Sequence, residues 1–367
     1  MLRRILIFIP NLQAGGAQRV AVALANGFAA RGYHCDLVIG TGGAFRALVA
    51  DNVSLHELGA NRTIGCLPGL IRHLRRSRPD VIFSMMTHTN IVAALAHRIT
   101  GTKARLVLSE RVSLRFLSPS LGDRLALKLM PWLYRYADRV AVVARDMEAE
   151  VAAAARLPAD RIVTLYNPVL DAAFYKMAND PDAEFHPWLE SRTGQSLIIA
   201  VGRLYVQKDF STLIRAFAEV RTVRNNVRLI ILGEGELRED LASLVRELEI
   251  EESVSMPGFT QNPYAAMRRA DLFVLSSVAE GLPGVLIQAM ACGLPVVSTD
   301  CPTGPREILE DGKWGRLVPV GDVQSLAKAM LATLSEEEIP DVRKRASLFE
   351  EGRAIDRHLD LFKSLLE

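Results

Sequence analysis

The chain has 367 residues, of which 49% are hydrophobic and 6% aromatic, with 44 Lys and Arg against 42 Asp and Glu. These values exclude disordered, collagen-like and coiled-coil proteins, and the length predicts two domains. The net charge of +2 conceals an uneven distribution: residues 1–168 carry 22 basic and 11 acidic side chains, whereas residues 169–367 carry 22 and 31. The first half, at +11, is therefore expected to face an anionic partner.

The chain opens on the run Ile5–Ile9, which is too short for the apolar region of a signal peptide and is followed by no A-x-A cleavage site. We interpret it as a buried strand. The four cysteines form no CxxC pair and no tight sequence group with the seven histidines. Their spacing therefore indicates neither a zinc site nor a disulfide framework, and it favours a reducing, cytoplasmic location.

Short β-branched runs alternate with amphipathic stretches along the first half, a pattern typical of βαβ units and parallel sheets. The predicted strands lie near residues 4–9, 34–40, 53–57, 80–84, 104–109, 139–143 and 161–165. The main predicted helices between them are Ala17–Arg31, Leu67–Arg78 and Gly122–Arg135.

Residues 169–195 show no clear periodicity and are interpreted as an interdomain connection. The pattern then restarts, with predicted strands at 196–201, 227–232, 254–256, 271–275 and 295–298 and helices at 210–224, 237–248, 285–291, 305–310 and 322–334. The predicted fold class is α/β, with two Rossmann-like doubly wound domains, 1–168 and 196–345, facing a central cleft. The stretch Leu272–Thr299 has one charge, but Pro283, Gly293 and Pro295 divide it, so we expect a buried core and not a membrane span.

The first chemical motif follows the strand at 196–201. Gly202 allows a turn, and Arg203 and Lys208 precede the next helix. Arg grips phosphate oxygens in a bidentate fork and Lys supplies a compact charge, so the pair suits a diphosphate leaving group. A solvated loop would have the same composition.

Two further turns lie at predicted strand ends. Gly233 and Gly235 follow the strand at 227–232, where glycines let backbone approach a ligand closely. A simple tight turn is the alternative. Gly258 and Phe259 follow the next strand and could contact a base or ribose, although Phe259 could equally be a core residue.

The most specific motif begins with Glu280, the single charge of its apolar stretch. A helix opens a few residues later, and helix N-termini bind phosphate through unpaired amides. Gln288 lies about one turn into that helix. Glu280 could alternatively be a carboxylate that only stabilises the helix N-terminus. The candidate ligand-contacting residues between the two are Gly281, Leu282, Pro283, Gly284 and Val285.

Together these motifs resemble those of the family 4 retaining glycosyltransferases of the GT-B fold, and the resemblance covers nearly the whole chain. It implies that Gly202, Arg203 and Lys208 bind the donor diphosphate and that Glu280 is the first acid of an E-x7-E motif, contacting donor-sugar hydroxyls. Gln288 stands where the family usually has the second Glu, which binds the ribose. Family architecture also implies that a C-terminal helix, 346–367, packs back on the first domain.

In the first half, the resemblance places Gly15 and Gly16 in a glycine-rich loop against donor phosphate or acceptor. Many relatives have a histidine at the end of a central strand here. Glu110 or Arg111 stands at that position in this chain, and His88 is an alternative, although a lone histidine is more often structural.

The resemblance implies transfer of a hexosyl or N-acetylhexosaminyl group, with a UDP-sugar as the expected donor and no metal or other cofactor. The expected acceptor is a glycan or a polyprenyl-diphosphate-linked saccharide. The basic run Arg72–Arg78 and the segment Leu114–Arg139, with Trp132 and two tyrosines, are expected to contact an anionic membrane surface, or else are ordinary solvated surface. No nucleic-acid partner is expected.

Four other hypotheses remain to be compared with this one. A metal-dependent transferase needs a DxD at a strand end, but Asp180–Asp182 contains a proline and lies in the connection, where we expect a turn. A nucleotide-sugar 2-epimerase shares the two-domain fold, and a non-catalytic sugar-nucleotide-binding subunit would be consistent with Gln288. An oxidoreductase is disfavoured because no GxGxxG follows the first strand.

Overall fold

The computed structural model describes residues 2–13, 15–114, 120–181, 183, 186–190, 194–338 and 340–367. Its contacts divide the chain into two compact units. The N-terminal unit consists of Met1–Pro168 and Glu351–Glu367, and the C-terminal unit of Val169–Glu350. Part of the predicted connection, including Asp182 of the DxD sequence, lies outside the described residues.

The N-terminal unit contains a parallel sheet whose central strands are largely apolar. Its strands, in the described part of the chain, are β1 (Arg4–Asn11), β2 (His34–Thr41), β3 (Ser54–Glu57), β4 (Val81–Met85), β5 (Arg105–Glu110), β6 (Arg139–Val142) and β7 (Ile162–Thr164). They pair in the order β3-β2-β1-β4-β5-β6-β7. Residues Ile5–Ile9 of β1 are fully buried, as expected for a sheet covered by helices on both faces.

Helices connect these strands. They are α1 (Gly16–Ala30), α2 (Leu67–Ser77), α3 (Thr87–Thr100), α4 (Leu121–Leu133) and α5 (Asp146–Ala155). Helix α3 packs against both α2 and α4 and covers β4 and β5. The helix was not singled out by sequence patterning, because residues 89–94 are buried all round and have no polar face.

The C-terminal unit contains the second parallel sheet. Its described strands are β8 (Ser196–Val201), β9 (Val227–Leu232), β10 (Val254–Gly258), β11 (Leu272–Leu275), β12 (Val296–Thr299) and β13 (Arg316–Val318), ordered β10-β9-β8-β11-β12-β13. The helices are α6 (Ala172–Ala178), α7 (Pro187–Glu190), α8 (Phe210–Val223), α9 (Arg238–Glu247), α10 (Pro263–Met267), α11 (Gly284–Ala291), α12 (Pro305–Ile308), α13 (Val323–Leu334) and α14 (Val342–Ala346). The α/β prediction is confirmed.

The last helix, α15 (Glu351–Ser364), belongs to the N-terminal unit and packs against α1. It begins at Glu351 and not at residue 346, because residues up to Glu350 remain in the C-terminal unit. A Cβ on Gly27 of α1 would lie 2.1 Å from Ile355 Cδ1, so this glycine permits the close approach of the two helices. Within the described ranges, every helix is too short or too polar to span a bilayer.

Candidate functional site

The strand order of the C-terminal unit brings the motif loops to one edge. Strands β10, β9, β8 and β11 are neighbours and parallel, so their carboxyl ends lie side by side. The loops that follow them contain Gly258, Gly233, Gly202 and Glu280 respectively. In open parallel sheets this edge is where ligands bind.

Lys208 and Glu280 meet at this edge. The Lys208 Nζ lies 2.5 Å from Glu280 Oε1, and both side chains are largely buried. The two loops are also joined through backbone, because the Val278 amide donates to the Gln207 carbonyl at 2.9 Å. Sequence reasoning assigned these two charges to different parts of a ligand and did not predict that they contact each other.

Polar side chains that the motifs did not single out fix Glu280. The Ser277 hydroxyl donates to Glu280 Oε1 at 2.6 Å, and Ser277 is fully buried. The Thr303 hydroxyl donates to the carbonyl oxygens of Glu280 at 2.8 Å and of Gly281 at 2.9 Å. The signal for Ser277 was its position as a polar residue between β11 and the acid in an otherwise apolar stretch.

The glycine turns pack backbone against backbone. Gly233 has φ +151°, and a Cβ there would lie 1.8 Å from the Gly202 carbonyl oxygen. A Cβ on Gly235 would lie 2.5 Å from the Leu204 carbonyl oxygen. The Leu204 amide donates to the Glu234 carbonyl at 2.9 Å. Side chains at either glycine would separate the loops after β8 and β9.

Two side chains at this edge are presented to solvent. Phe259 is 75% exposed, so it is not a core residue and its ring is available for stacking. Gly258 precedes it with φ +102°. Arg203 is exposed, with its guanidinium carbon 5.7 Å from the centroid of the Tyr205 ring.

Helix α11 begins directly after Pro283. Among the described residues, no side chain caps its N-terminus. Gly281, Leu282 and Pro283 are buried, whereas Gly284 and Val285 are partly exposed. The Gln288 Nε2 donates to the Tyr264 hydroxyl at 3.3 Å, and this contact orients the amide that replaces the usual acid.

In the N-terminal unit, the carboxyl ends of β1, β4 and β5 are likewise adjacent. The loop after β1 leads through Gly15 and Gly16 into α1. The Gln18 Nε2 donates to Asn11 Oδ1 at 3.2 Å, which links the first turn of α1 to the end of β1. A Cβ on Gly15 would lie 2.4 Å from Gln18 Oε1.

The side chain of Glu110, a predicted substrate-binding residue, is held inside the N-terminal unit. Its carboxylate is fully buried and accepts hydrogen bonds from Thr87 Oγ1 at 2.7 Å, Asn90 Nδ2 at 3.0 Å and the Tyr134 hydroxyl. Burial raises the pKa of Glu110, and these donors oppose that rise. Sequence reasoning could not find these partners, because they come from α3 and from the segment after α4. Tyr134 is therefore a core residue and not part of a membrane-facing surface.

Arg111 is also buried, and burial lowers the pKa of its guanidinium to about 9. Among the described residues, its Nη2 has no hydrogen-bond partner. His88, by contrast, is about half exposed and lies at the first turn of α3. Its Nε2 is 2.8 Å from Asp123 Oδ1 on α4. His88 is therefore the more accessible candidate at this edge.

The described part of the chain contains four cysteines and a group of side chains that could bind a metal ion. All four cysteines are unpaired and buried. The group of metal-ligating side chains found there is Asp36, His56 and His73, none of which belongs to the candidate residues above.

Comparison with known proteins identifies the family of this chain. The family model described as "Glycosyl transferases group 1" matches residues 195–336, and that described as "Glycosyltransferase Family 4" matches residues 14–171. N-acetylgalactosamine-N,N'-diacetylbacillosaminyl-diphospho-undecaprenol 4-alpha-N-acetylgalactosaminyltransferase of Campylobacter jejuni is 30% identical over 71% of this chain and 68% of its own. The chain belongs to glycosyltransferase family 4.

Other relatives of this family 4 glycosyltransferase agree. A second Campylobacter jejuni enzyme, GalNAc-alpha-(1->4)-GalNAc-alpha-(1->3)-diNAcBac-PP-undecaprenol alpha-1,4-N-acetyl-D-galactosaminyltransferase, is 25% identical over 91% of this chain and 89% of its own. Anabaena HepE, solved with UDP and glucose, superposes with a TM-score of 0.79 at 21% identity, covering 99% and 100% of the two chains. The galactosyltransferase WaaB superposes with a TM-score of 0.78 at 19% sequence identity, covering 99% of each chain. The two units of this glycosyltransferase have the GT-B fold.

Replacing Glu110 tests whether it is a structural residue. Glu110→Ala removes the acceptor of the buried Thr87 and Tyr134 hydroxyls, at about 1–3 kcal/mol each, whereas Asn90 keeps its hydrogen bond to the Ser109 carbonyl. We therefore expect the free energy of unfolding to fall by roughly 2 kcal/mol or more. Denaturant unfolding measures it. Glu57→Ala in the same unit removes a half-exposed carboxylate with two partners and should cost at most about 1 kcal/mol. Wild-type stability combined with lost activity in Glu110→Ala would instead indicate a direct role of this side chain in transfer.

Proposed function

We propose that this glycosyltransferase moves a hexose or N-acetylhexosamine, with retention of anomeric configuration, from a UDP-sugar to a hydroxyl of a lipid-diphosphate-linked saccharide. The observation that carries the proposal is the Lys208–Glu280 pair at the edge of the C-terminal sheet, on loops beside Arg203 and the glycine turns. A cation and an acid held together in this way provide partners for a diphosphate and for sugar hydroxyls within one small volume.

In this proposal, Arg203, Lys208 and the first amides of α11 stabilise charge on the departing diphosphate. Stabilisation of developing charge by positioned groups is usually the largest catalytic contribution. Glu280 holds Lys208 at this edge before any ligand binds, and binding of the donor exchanges that ion pair for contacts to phosphate and sugar. Glu280 accepts hydrogen bonds from donor-sugar hydroxyls, and Ser277 and Thr303 are positioning residues for it.

The nucleotide is proposed to lie along the glycine turns. Gly202, Gly233 and Gly235 allow phosphate and ribose to approach the backbone, and the exposed ring of Phe259 supports the base. Gln288 offers the ribose hydroxyls an amide donor and acceptor in place of a carboxylate. Its hydrogen bond to Tyr264 holds the amide in one orientation.

Retention without an enzymic nucleophile follows from the family resemblance: the acceptor attacks on the face that the diphosphate leaves, and a phosphate oxygen takes the acceptor proton. The bond from the anomeric carbon to the diphosphate oxygen breaks, and a bond to the acceptor oxygen forms. We propose that no metal takes part, because Arg203 and Lys208 supply the positive charge that a bound cation would otherwise provide. Gly15, Gly16 and His88 are the proposed contacts in the N-terminal unit.

The proposed acceptor rests on two observations. The Campylobacter jejuni relatives are named for substrates carried on a diphospho-undecaprenol or PP-undecaprenol lipid. In addition, α4 presents large apolar side chains to solvent: Leu121, Leu125 and Trp132 are 85%, 57% and 63% exposed. Their spacing of four and seven residues places them on one helix face.

Basic residues lie beside that apolar face on α4, and a second basic group lies on α2. Arg124 and Lys128 are exposed on α4, and the Arg135 guanidinium carbon lies 5.8 Å from the Trp132 ring centroid. On α2, Arg72, Arg75 and Arg76 are exposed, while Leu70 and Leu74 face the core. An apolar helix face flanked by cations is typical of binding at the surface of an anionic membrane. We propose that the N-terminal unit binds such a surface peripherally.

Removing either proposed diphosphate contact should slow transfer. Arg203→Ala and Lys208→Ala are each expected to lower kcat by roughly 10²–10³-fold, the usual effect of losing one such donor. Arg203→Ala should leave thermal unfolding unchanged, whereas Lys208→Ala leaves the buried Glu280 carboxylate without its cation and should lower the unfolding midpoint while the fold is retained. Steady-state release of UDP from a UDP-sugar in the presence of acceptor measures this. Arg246→Ala removes an exposed arginine from α9 and should have no effect. Near-wild-type turnover of both site variants would refute the diphosphate assignment.

The stereochemistry is tested by NMR of the product anomeric proton, which we expect to show the same configuration as the donor sugar. An inverted product would contradict the retaining mechanism.

Transfer activity should survive EDTA, because the positive charge at the diphosphate comes from side chains. Conversion of the donor without an acceptor would indicate an epimerase, and binding without UDP release would indicate a non-catalytic subunit.

Membrane binding is tested by co-sedimentation with phosphatidylglycerol-containing and pure phosphatidylcholine vesicles. The double variant Arg124→Gln/Lys128→Gln should bind anionic vesicles about 30-fold more weakly, since each basic residue near such a surface contributes about 1 kcal/mol. Leu125→Ser/Trp132→Ser should weaken binding to both vesicle types.

The control for the apolar pair is Val223→Ser, which replaces an exposed apolar residue of the C-terminal unit. It should bind vesicles as the wild type does. Binding that ignores both lipid charge and the α4 substitutions would exclude this surface as the membrane contact.

A further inference from the structure

Three histidines surround one buried carboxylate in the N-terminal unit. Asp36 lies on β2, and His34 lies two residues earlier on the same face of that strand. His56 is on the neighbouring strand β3, and His73 is on α2. The three Nε2 atoms lie 3.0 Å (His34), 3.6 Å (His56) and 3.3 Å (His73) from the oxygens of Asp36.

Asp36, His56 and His73 lie close enough together to share one metal ion. Zinc binds imidazole nitrogen and carboxylate oxygen at about 2.0–2.1 Å, so ligand atoms around a tetrahedral Zn²⁺ lie about 3.3–3.4 Å apart. The ligand atoms of Asp36, His56 and His73 all lie within 4.8 Å of one another, and the rings of His56 and His73 have centroids 4.4 Å apart. Small side-chain movements would bring these atoms to coordination distances.

Two other ligand classes fit less well. An anion would meet the carboxylate of Asp36, which is 3% exposed and lies at the centre of the group. Hard cations such as Mg²⁺ and Ca²⁺ prefer oxygen ligands, whereas imidazole suits zinc and its neighbours in the first transition row. Three nitrogens and one oxygen in a tetrahedral arrangement are most characteristic of zinc.

We propose that Asp36, His56 and His73 bind one Zn²⁺ that joins α2 to β2 and β3, and that His34, whose Nε2 lies 3.0 Å from Asp36 Oδ1, turns to provide the fourth ligand. The protein would then fill all four coordination positions, as in structural zinc sites. His34 and Asp36 lie in the first half of β2, whereas the candidate transfer residues follow the carboxyl ends of strands. The site is therefore separate from the proposed reaction, and zinc binding is compatible with metal-independent transfer.

The experiment uses the full-length chain after proteolytic removal of any histidine tag and after stripping of bound metal. Isothermal titration with Zn²⁺ should give one site per chain. Titration with Co²⁺ should produce the visible absorption of a tetrahedral complex, which Zn²⁺ should then abolish. Zn²⁺ should also raise the midpoint of thermal unfolding, and EDTA should reverse that rise.

The test variant is His34→Gln/His56→Gln, because both imidazoles are partly exposed and their loss should leave folding intact. Zn²⁺ affinity should fall by more than the roughly 10–100-fold that follows loss of an outer-shell partner. The matched control His97→Gln/His186→Gln removes two histidines from other parts of the chain and should bind as the wild type does.

Either of two outcomes would overturn the proposal. One is the absence of a 1:1 site in the wild-type chain, which would leave the cluster as hydrogen-bonded side chains alone. The other is equal Zn²⁺ affinity in the wild type and in His34→Gln/His56→Gln, which would place the metal elsewhere.

Discussion

The contact between Lys208 and Glu280 depends on the pairing of two parallel strands. The residues are 72 positions apart, yet β8 and β11 are neighbours, with Ile198 opposite Leu272 and Ile199 opposite Phe273. Both strands therefore end at the same edge of the sheet, so the loops that follow them pack against each other. A partly buried ion pair is favourable only with good geometry and further hydrogen bonds. Ser277 supplies one of these bonds to Glu280.

The pair also bears on how an anion can bind here. The second half of the sequence carries a net charge of −9, and Glu280 already neutralises Lys208. Attraction for a diphosphate must then come from exposed Arg203, from the uncapped start of α11 and from any shift of Lys208 toward the ligand. In the proposed function, sugar hydroxyls take up the hydrogen bonds of Glu280 while phosphate oxygens take up those of Lys208. The donor would thus replace each member of the pair with a suitable partner.

Much of the fold could be predicted because buried parallel strands are continuous apolar runs, as in Ile5–Ile9. Short β13 and α3, whose residues 89–94 are buried on every side, show no comparable sequence pattern and were not predicted. At the site, the predicted motif residues lie at adjacent strand ends, but the sequence could not show that Lys208 touches Glu280. The burial of the Glu110 side chain could not be predicted, because its three donors are distant in sequence. The grouping of the histidines around Asp36 could not be predicted from the sequence either, because they come from β2, β3 and α2.

The position of Asp36 explains how helix α2 is held against the sheet. A carboxylate in the middle of a buried strand is costly unless it is paired, and here the pairing comes from His73 on α2 and from the adjacent strands. The same helix carries exposed Arg72, Arg75 and Arg76, whose mutual repulsion disfavours their close grouping. Burial of Leu70 and Leu74 fixes one side of α2, and the His73–Asp36 contact fixes its rotation. The arginines are consequently directed to solvent, which is the orientation that binding of an anionic lipid surface requires.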